Sequence, residues 1–205
     1  MSREIRAFNF EVRAEENEEH GHFLSGQPII YDERTNLGWY DEVIADGALT
    51  DTDLRDVRFL VNHNTDMIPL ARSRNNNENS TMQLEVQEGR GLFIRVDLDT
   101  ENNSEARSLY SAVERKDITG MSFMFVVDGD EWGDLDSEHP VRTIRSISKV
   151  FEVSAVTFPA YEATSIQARG LSDALESAKE SLESARAEKR EQERRKQKIR
   201  LLMEV

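Results

Sequence analysis

The chain has 205 residues, 38% of them apolar, and its 26 Lys and Arg face 40 Asp and Glu, a formal charge of −14. Cysteine is absent, which rules out a disulfide framework, a cysteine nucleophile, an iron–sulfur cluster and a thiolate zinc site. No apolar run approaches the roughly 20 residues of a membrane span, the opening MSREIRAFNFEVRAEENEE has no signal-like stretch, and a negative field opposes phosphate contacts. The expectation is a soluble cytoplasmic protein that binds neither membrane nor nucleic acid.

From the N-terminus, period-two or continuous apolar stretches run over 5–12, 23–31, 57–61, 82–86, 92–98, 121–127, 143–150 and 152–158, separated by Gly, Asn, Asp and Pro clusters. Many short strands of this kind predict a barrel or sandwich. Two segments interrupt them. Residues 48–54 suggest a short helix capped by Thr50 or Asp51. In 103–116, Ala106, Leu109, Tyr110 and Val113 recur at helical spacing behind Asn103 as N-cap, with Gly120 just beyond. The fold class is therefore mainly β with peripheral helices (α+β).

The last segment differs in composition. Residues 1–169 hold 17 basic and 32 acidic side chains and all four prolines; residues 170–205 hold 9 and 8 and no proline. After Gly170 the chain is rich in helix formers. A 4-3-4-3 seam of Leu171, Leu175, Ala178, Leu182 and Ala185 breaks at Lys189, Gln192 and Lys196 before Ile199 and Met203. This predicts two units: a β domain over 1–169 and a long, solvated helical arm over 170–205, able to pair weakly with a partner.

Common catalytic signatures are missing: no phosphate loop, dinucleotide-binding glycine motif, H-E-x-x-H or nucleophile elbow is present. Ser146–Lys149 spells S-x-x-K, but inside a predicted strand. His20 and His22 stand in an acidic loop with no third spaced ligand, so a metal-dependent hydrolase built on them is a weak alternative, and neither a metal nor a cofactor is expected. His139 precedes Pro140 in an acidic segment that reads as a hairpin loop or flap.

Three residues carry more. His63 follows the apolar run Phe59-Leu60-Val61, where a strand gives way to a loop. Ser122 opens a strand that is otherwise nearly all apolar. Glu152 puts a carboxylate into a core strand, on one face with Ser154 and Val156, where it requires a cationic or hydrogen-bonding partner. Each alone has an ordinary structural reading: a hydrogen-bonded strand-end imidazole, a serine bonded to a backbone carbonyl, a paired carboxylate. Together they supply the hydroxyl, base and anion of nucleophilic acyl transfer, although spacing alone does not bring them together.

The motifs Glu42-Val43-Ile44-Ala45-Asp46-Gly47-Ala48-Leu49, Leu60-Val61-Asn62-His63 with Leu70-Ala71-Arg72-Ser73, Gly120-Met121-Ser122-Phe123, and Glu152 through Tyr161 occur in one order across residues 3–169. In this the chain resembles the HK97-type phage prohead maturation proteases, which are similar in fold to the herpesvirus assembly proteases. The resemblance implies a closed or partly closed β-barrel and a serine endopeptidase with His63, Ser122 and Glu152 as catalytic residues. It also suggests Arg72, Met121 and Phe123 as oxyanion or substrate-binding residues. It further implies cleavage of the phage capsid or scaffold protein and of itself, a homo-oligomer, and work inside the procapsid in the host cytoplasm. Ala71 and Met124 stand where the family favours glycine, and Pro69 interrupts the stretch before Leu70; these departures bear on cleavage preference. The alternative is a non-catalytic capsid assembly or scaffolding protein on the same fold.

Overall fold

A computed structural model describes residues 3–8, 12–157 and 165–203. The sequence stretches at 9–11 and 158–164, including Phe158-Pro159-Ala160-Tyr161 of the last motif, lie outside the described residues.

The spine is a long antiparallel hairpin of β10 (Gly120–Gly133) and β11 (Val141–Val156). The two stretches expected at 143–150 and 152–158 form one strand here. Register shifts between Met124 and Asp130 let the hairpin bend without ending. The first half of β11 pairs in parallel with β5 (Asp41–Ile44), and its second half with β6 (Asp56–Val61). The edges are β1 (Glu4–Phe8) on β10, β4 (Thr35–Asn36) on β5 and β7 (Ala71–Arg74) on β6. A second, four-stranded sheet has the order β2 (Arg13–Asn17), β3 (Gly21–Ile30), β9 (Gly91–Asp97), β8 (Met82–Gln87). Phe59, Phe123, Phe125, Val153 and Ala155 of the first sheet share one core with Leu24, Ile29, Leu92, Ile94 and Val96 of the second. The pairings among the described residues make two sheets and no closed ring of strands.

Helix α1 (Ser104–Glu114) lies where the periodicity puts it. Asn103 Oδ1 accepts from the Glu105 and Ala106 amides, and Ala106, Leu109 and Val113 are buried. It ends at Glu114, six positions before Gly120, because Lys116 turns left-handed at φ 64° while Gly120 opens β10.

The short helix expected over 48–54 does not form. Ala48, Thr50 and Thr52 donate three residues back, to Ala45, Gly47 and Leu49, as successive turns. The Ala48 carbonyl accepts from Ile147 of β11 instead of from a helical amide. So short a segment cannot offset the cost of helix nucleation when a sheet offers partners to the same groups.

Helix α2 (Ser165–Met203) begins before the expected division at 169/170 and passes through Gly170. Its first half is not a free arm. It lies against β1 and β10 with Ala178 and Leu182 buried. Trp132 Nε1 donates to Ser181 Oγ at 3.0 Å, Ser181 Oγ donates to Asp130, and Arg186 Nε donates to the Leu135 carbonyl at 3.0 Å. The predicted seam thus packs, at Ala178 and Leu182, on the chain's own body. From Arg190 on, every residue whose burial is described is exposed, Ile199, Leu202 and Met203 among them.

Strand β1 is fastened by buried charge. Arg6 Nε and Nη2 donate to Glu42 at 2.5 and 2.7 Å, and Nη2 also to Glu4 at 2.6 Å. Arg142 donates to Glu4 at 2.8 and 3.1 Å and to Asp130 at 2.6 Å. Burial pushes the Glu4 carboxyl up, but Arg6 and Arg142 beside it prevail and hold it below its ordinary value. A buried cluster of this kind is weak evidence for net stability, yet removing one member leaves its partners charged and unpaired.

Candidate active site

β6 ends at Val61, and the chain then turns through two left-handed residues, Asn62 (φ 51°) and His63 (φ 56°). Left-handed backbone is uncommon outside glycine and needs local support. Asn62 supplies it: its amide donates to the Ala155 carbonyl at 2.9 Å, its Oδ1 accepts from the Thr157 amide at 2.9 Å, and its Nδ2 donates to Thr157 Oγ1 at 3.1 Å. The His63 amide donates to Ser154 Oγ at 3.2 Å. The turn is thereby stitched to the end of β11, and the imidazole is carried in beside Glu152.

His63 Nδ1 lies 2.6 Å from Glu152 Oε1, with both side chains almost fully buried. The other carboxylate oxygen, Oε2, accepts from Ser154 Oγ at 2.5 Å. His63 Nε2 is buried and has no hydrogen-bond partner among the described residues. A carboxylate at Nδ1 selects the tautomer with Nδ1 protonated and leaves Nε2 as a free acceptor, ready to take a proton.

Ser122 is one strand away. It is the ladder partner of Ser154 across the β10–β11 pair, so the two side chains share a sheet face with Glu152. The alternation predicted for 152–156 holds: Val153 and Ala155 join the core, while Glu152 and Ser154 point to the other side. Ser122 is fully buried, and its Oγ donates to the Arg6 backbone carbonyl at 2.7 Å rather than to His63. The structure therefore brings His63 and Glu152 into contact and sets Ser122 beside them without a hydrogen bond to the imidazole.

The remaining sequence candidates fall outside this cluster. The Met121 and Phe123 side chains are in the core on the opposite face, and β10 is paired on both sides there, by β1 and β11. Arg72 shares the face of Glu152 through the row Glu152, Arg58, Arg72. Its guanidinium grips Asp56 at 2.7 and 2.9 Å, and this bond holds the Asp56 carboxyl below its ordinary value. His22 Nδ1 is 2.6 Å from Thr100 Oγ1, and His139 Nε2 is 2.7 Å from Asp41. Among the described residues no group of three potential ligands could hold a metal ion. Next to the His63 turn lies a groove of about 680 Å³, lined by Val61, Asn62, Asn64, Met67, Leu109 and Ile118 among others.

The described fold is mainly β, with His63 and Glu152 paired and buried at the end of the first sheet. The comparison with known families is specific: the chain belongs to the caudovirus prohead serine proteases, whose family model matches residues 8–180. The match runs past 169 into the docked start of α2. Membership points to a serine peptidase acting within the procapsid in association with procapsid proteins. Neither a curated protein nor a solved structure matches the chain. Among the described residues no helix is long and apolar enough to cross a membrane.

Proposed function

We propose that the chain is a serine endopeptidase that cleaves the capsid or scaffold protein of the procapsid, and itself, through an acyl-enzyme. Ser122 is the nucleophile, His63 the base and Glu152 the anion that orients the imidazole. The observation that carries this reading is the buried contact of His63 Nδ1 with Glu152 at 2.6 Å, with Nε2 left unpartnered and a serine hydroxyl on the adjoining strand.

In the reaction His63 Nε2 takes the Ser122 proton as Oγ attacks the scissile carbonyl, and returns it to the leaving amine; water then repeats the cycle to release the acid. For attack the Ser122 hydroxyl must turn from the Arg6 carbonyl toward Nε2. The charge on the carbonyl oxygen needs donors fixed in advance; the Arg72 guanidinium is assigned to that role and has to leave Asp56 to fill it, whereas the Met121 and Phe123 amides belong to a strand paired on both sides. The groove beside the His63 turn borders both Asn62–Asn64 and the segment at Ile118 that leads into Ser122. It is assigned to side chains of the substrate polypeptide.

The herpesvirus-type barrel belongs to the same reading. β7 lies against β8, and the Arg72 and Arg74 amides donate to Thr81 Oγ1 and Ser80 Oγ of the connection leading into β8, at 2.9 Å each. That is how a barrel seam closed by side chains would look. Self-association of the β domain and a contact of the exposed distal part of α2 with procapsid protein complete the proposal.

One observation favours a second reading, a non-catalytic assembly protein: the Ser122 hydroxyl is already satisfied by a backbone carbonyl. Co-expression of the capsid precursor with the wild type and with Ser122→Ala separates the two. Processing by the wild type alone supports the peptidase; equal processing by both contradicts it.

A further inference from the structure

Ser154 is the polar residue of the centre that the proposed triad does not use. It is fully buried at the middle of the first sheet, with Ser122 as its ladder partner on one side and Leu60 of the histidine-bearing strand on the other. Its hydroxyl has one hydrogen to donate and gives it to Glu152 Oε2 at 2.5 Å. Its oxygen accepts the His63 backbone amide at 3.2 Å. With the 2.6 Å contact from His63 Nδ1 to Glu152 Oε1, these bonds close a ring: imidazole to carboxylate, carboxylate to hydroxyl, hydroxyl to the imidazole's own backbone.

We infer that Ser154 is the positioning residue of the centre, locking the Glu152 carboxylate and the left-handed His63 backbone into the one arrangement that aims Nε2 at the Ser122 strand. The inference rests on the peptidase reading above and adds a residue to it. A carboxylate held at one oxygen can swing about its terminal torsion, which is broad and roughly two-fold. Bonds at both oxygens fix its plane, and the plane directs Nδ1. The His63 backbone, at φ 56°, sits in a region that persists only where surrounding bonds impose it, and the Ser154 hydroxyl accepts its amide. A serine present only to fill space would need neither bond; a serine satisfying its own hydroxyl would need one carbonyl, as Ser122 has. Ser154 instead joins the base to the anion and touches no substrate.

The test uses the full chain and a fluorophosphonate probe, which reports activation of the serine without requiring a peptide substrate, its rate resolved into kinact and KI. Ser154→Ala is expected to lower kinact on the order of 10- to 100-fold, the range that one hydrogen bond to a charged group represents, with KI within about twofold. Ser154→Thr, which keeps the hydroxyl, is expected to restore most of the rate. Ser154→Val, which has the shape of threonine without the hydroxyl, is expected to match alanine. The threonine and valine pair also decides the matter if the alanine variant fails to fold. Equal kinact for threonine and valine, or an alanine variant as fast as wild type, would overturn the positioning role while leaving the triad intact. Labelling of Ser122→Ala at the wild-type rate would instead overturn the peptidase reading, and this inference with it.

Discussion

The Ser122 hydroxyl and the Arg6 carbonyl, 116 positions apart in sequence, are 2.7 Å apart in space. In this state the hydroxyl proton points at the N-terminal strand and away from His63 Nε2. A neutral hydrogen bond of this kind is worth about 1 kcal/mol net, well within reach of rotation on substrate binding. Ser122→Ala is therefore expected to abolish processing while lowering unfolding stability by only about 1 kcal/mol. Urea denaturation run alongside a processing assay checks both. A large stability loss with processing retained would mark Ser122 as a structural residue.

Glu152→Gln keeps the shape but presents an uncharged amide to His63 Nδ1, removing the anion that stabilises the imidazolium. Activity is expected to fall on the order of 10⁴-fold, as for carboxylates in comparable triads. Glu152→Ala is expected to add a stability loss of about 3–5 kcal/mol, because the buried partners lose their acceptor. Single-turnover kinetics and chemical denaturation of the two variants measure these effects.

The buried cluster gives the fold an acid-sensitive joint. Because the Glu4 carboxyl is held below its ordinary 4.5 in the folded protein, its contribution is present above that value and is lost as pH falls through the lower folded value. The melting temperature is expected to drop as pH is lowered from about 5 through 3, and to drop less steeply in Glu4→Gln, which has no such proton to gain. Arg6→Met, which leaves Arg142 as the one buried cation for both Glu4 and Glu42, is expected to cost about 3–5 kcal/mol at neutral pH. Calorimetry across this pH range tests both statements.

The docked half of α2 is expected to be part of the folded unit. Leu182→Ala removes a buried side chain facing the body and is expected to cost about 2–3 kcal/mol. Removal of residues 170–205 exposes Trp132, whose indole donates to Ser181, and is expected to red-shift tryptophan emission. An unchanged emission spectrum and melting temperature would restore the picture of an independent arm.

Much of this was legible in the sequence because local patterns dictate it. The 3.6-residue periodicity with Asn103 in front marked α1, and the alternation through Glu152 and Ser154 marked which side chains leave the core. What escaped depends on partners distant in the chain. Strand β2, with its charged RAEEN, and the four-residue β5 and β7 have too few apolar residues to stand out; they exist because β3, β11 and β6 offer them edges. The turns at 46–52 look helical until Ile147 takes the Ala48 carbonyl. The heptad at Ala178 and Leu182 is silent about whether its partner is another chain or the same one. In the centre, His63 and Glu152 could be singled out by residue type, but their contact, the role of Asn62 and the ring through Ser154 follow from the parallel pairing of β6 with β11, which no local spacing encodes.

The central claim is that His63, held by Glu152, activates Ser122. Mass-spectrometric mapping of the adduct left by a serine-directed phosphonate tests it most directly. A single stoichiometric adduct on Ser122 is expected in the wild type, and its loss in His63→Ala. An adduct elsewhere, or one on Ser122 that forms equally fast without the imidazole, would contradict it.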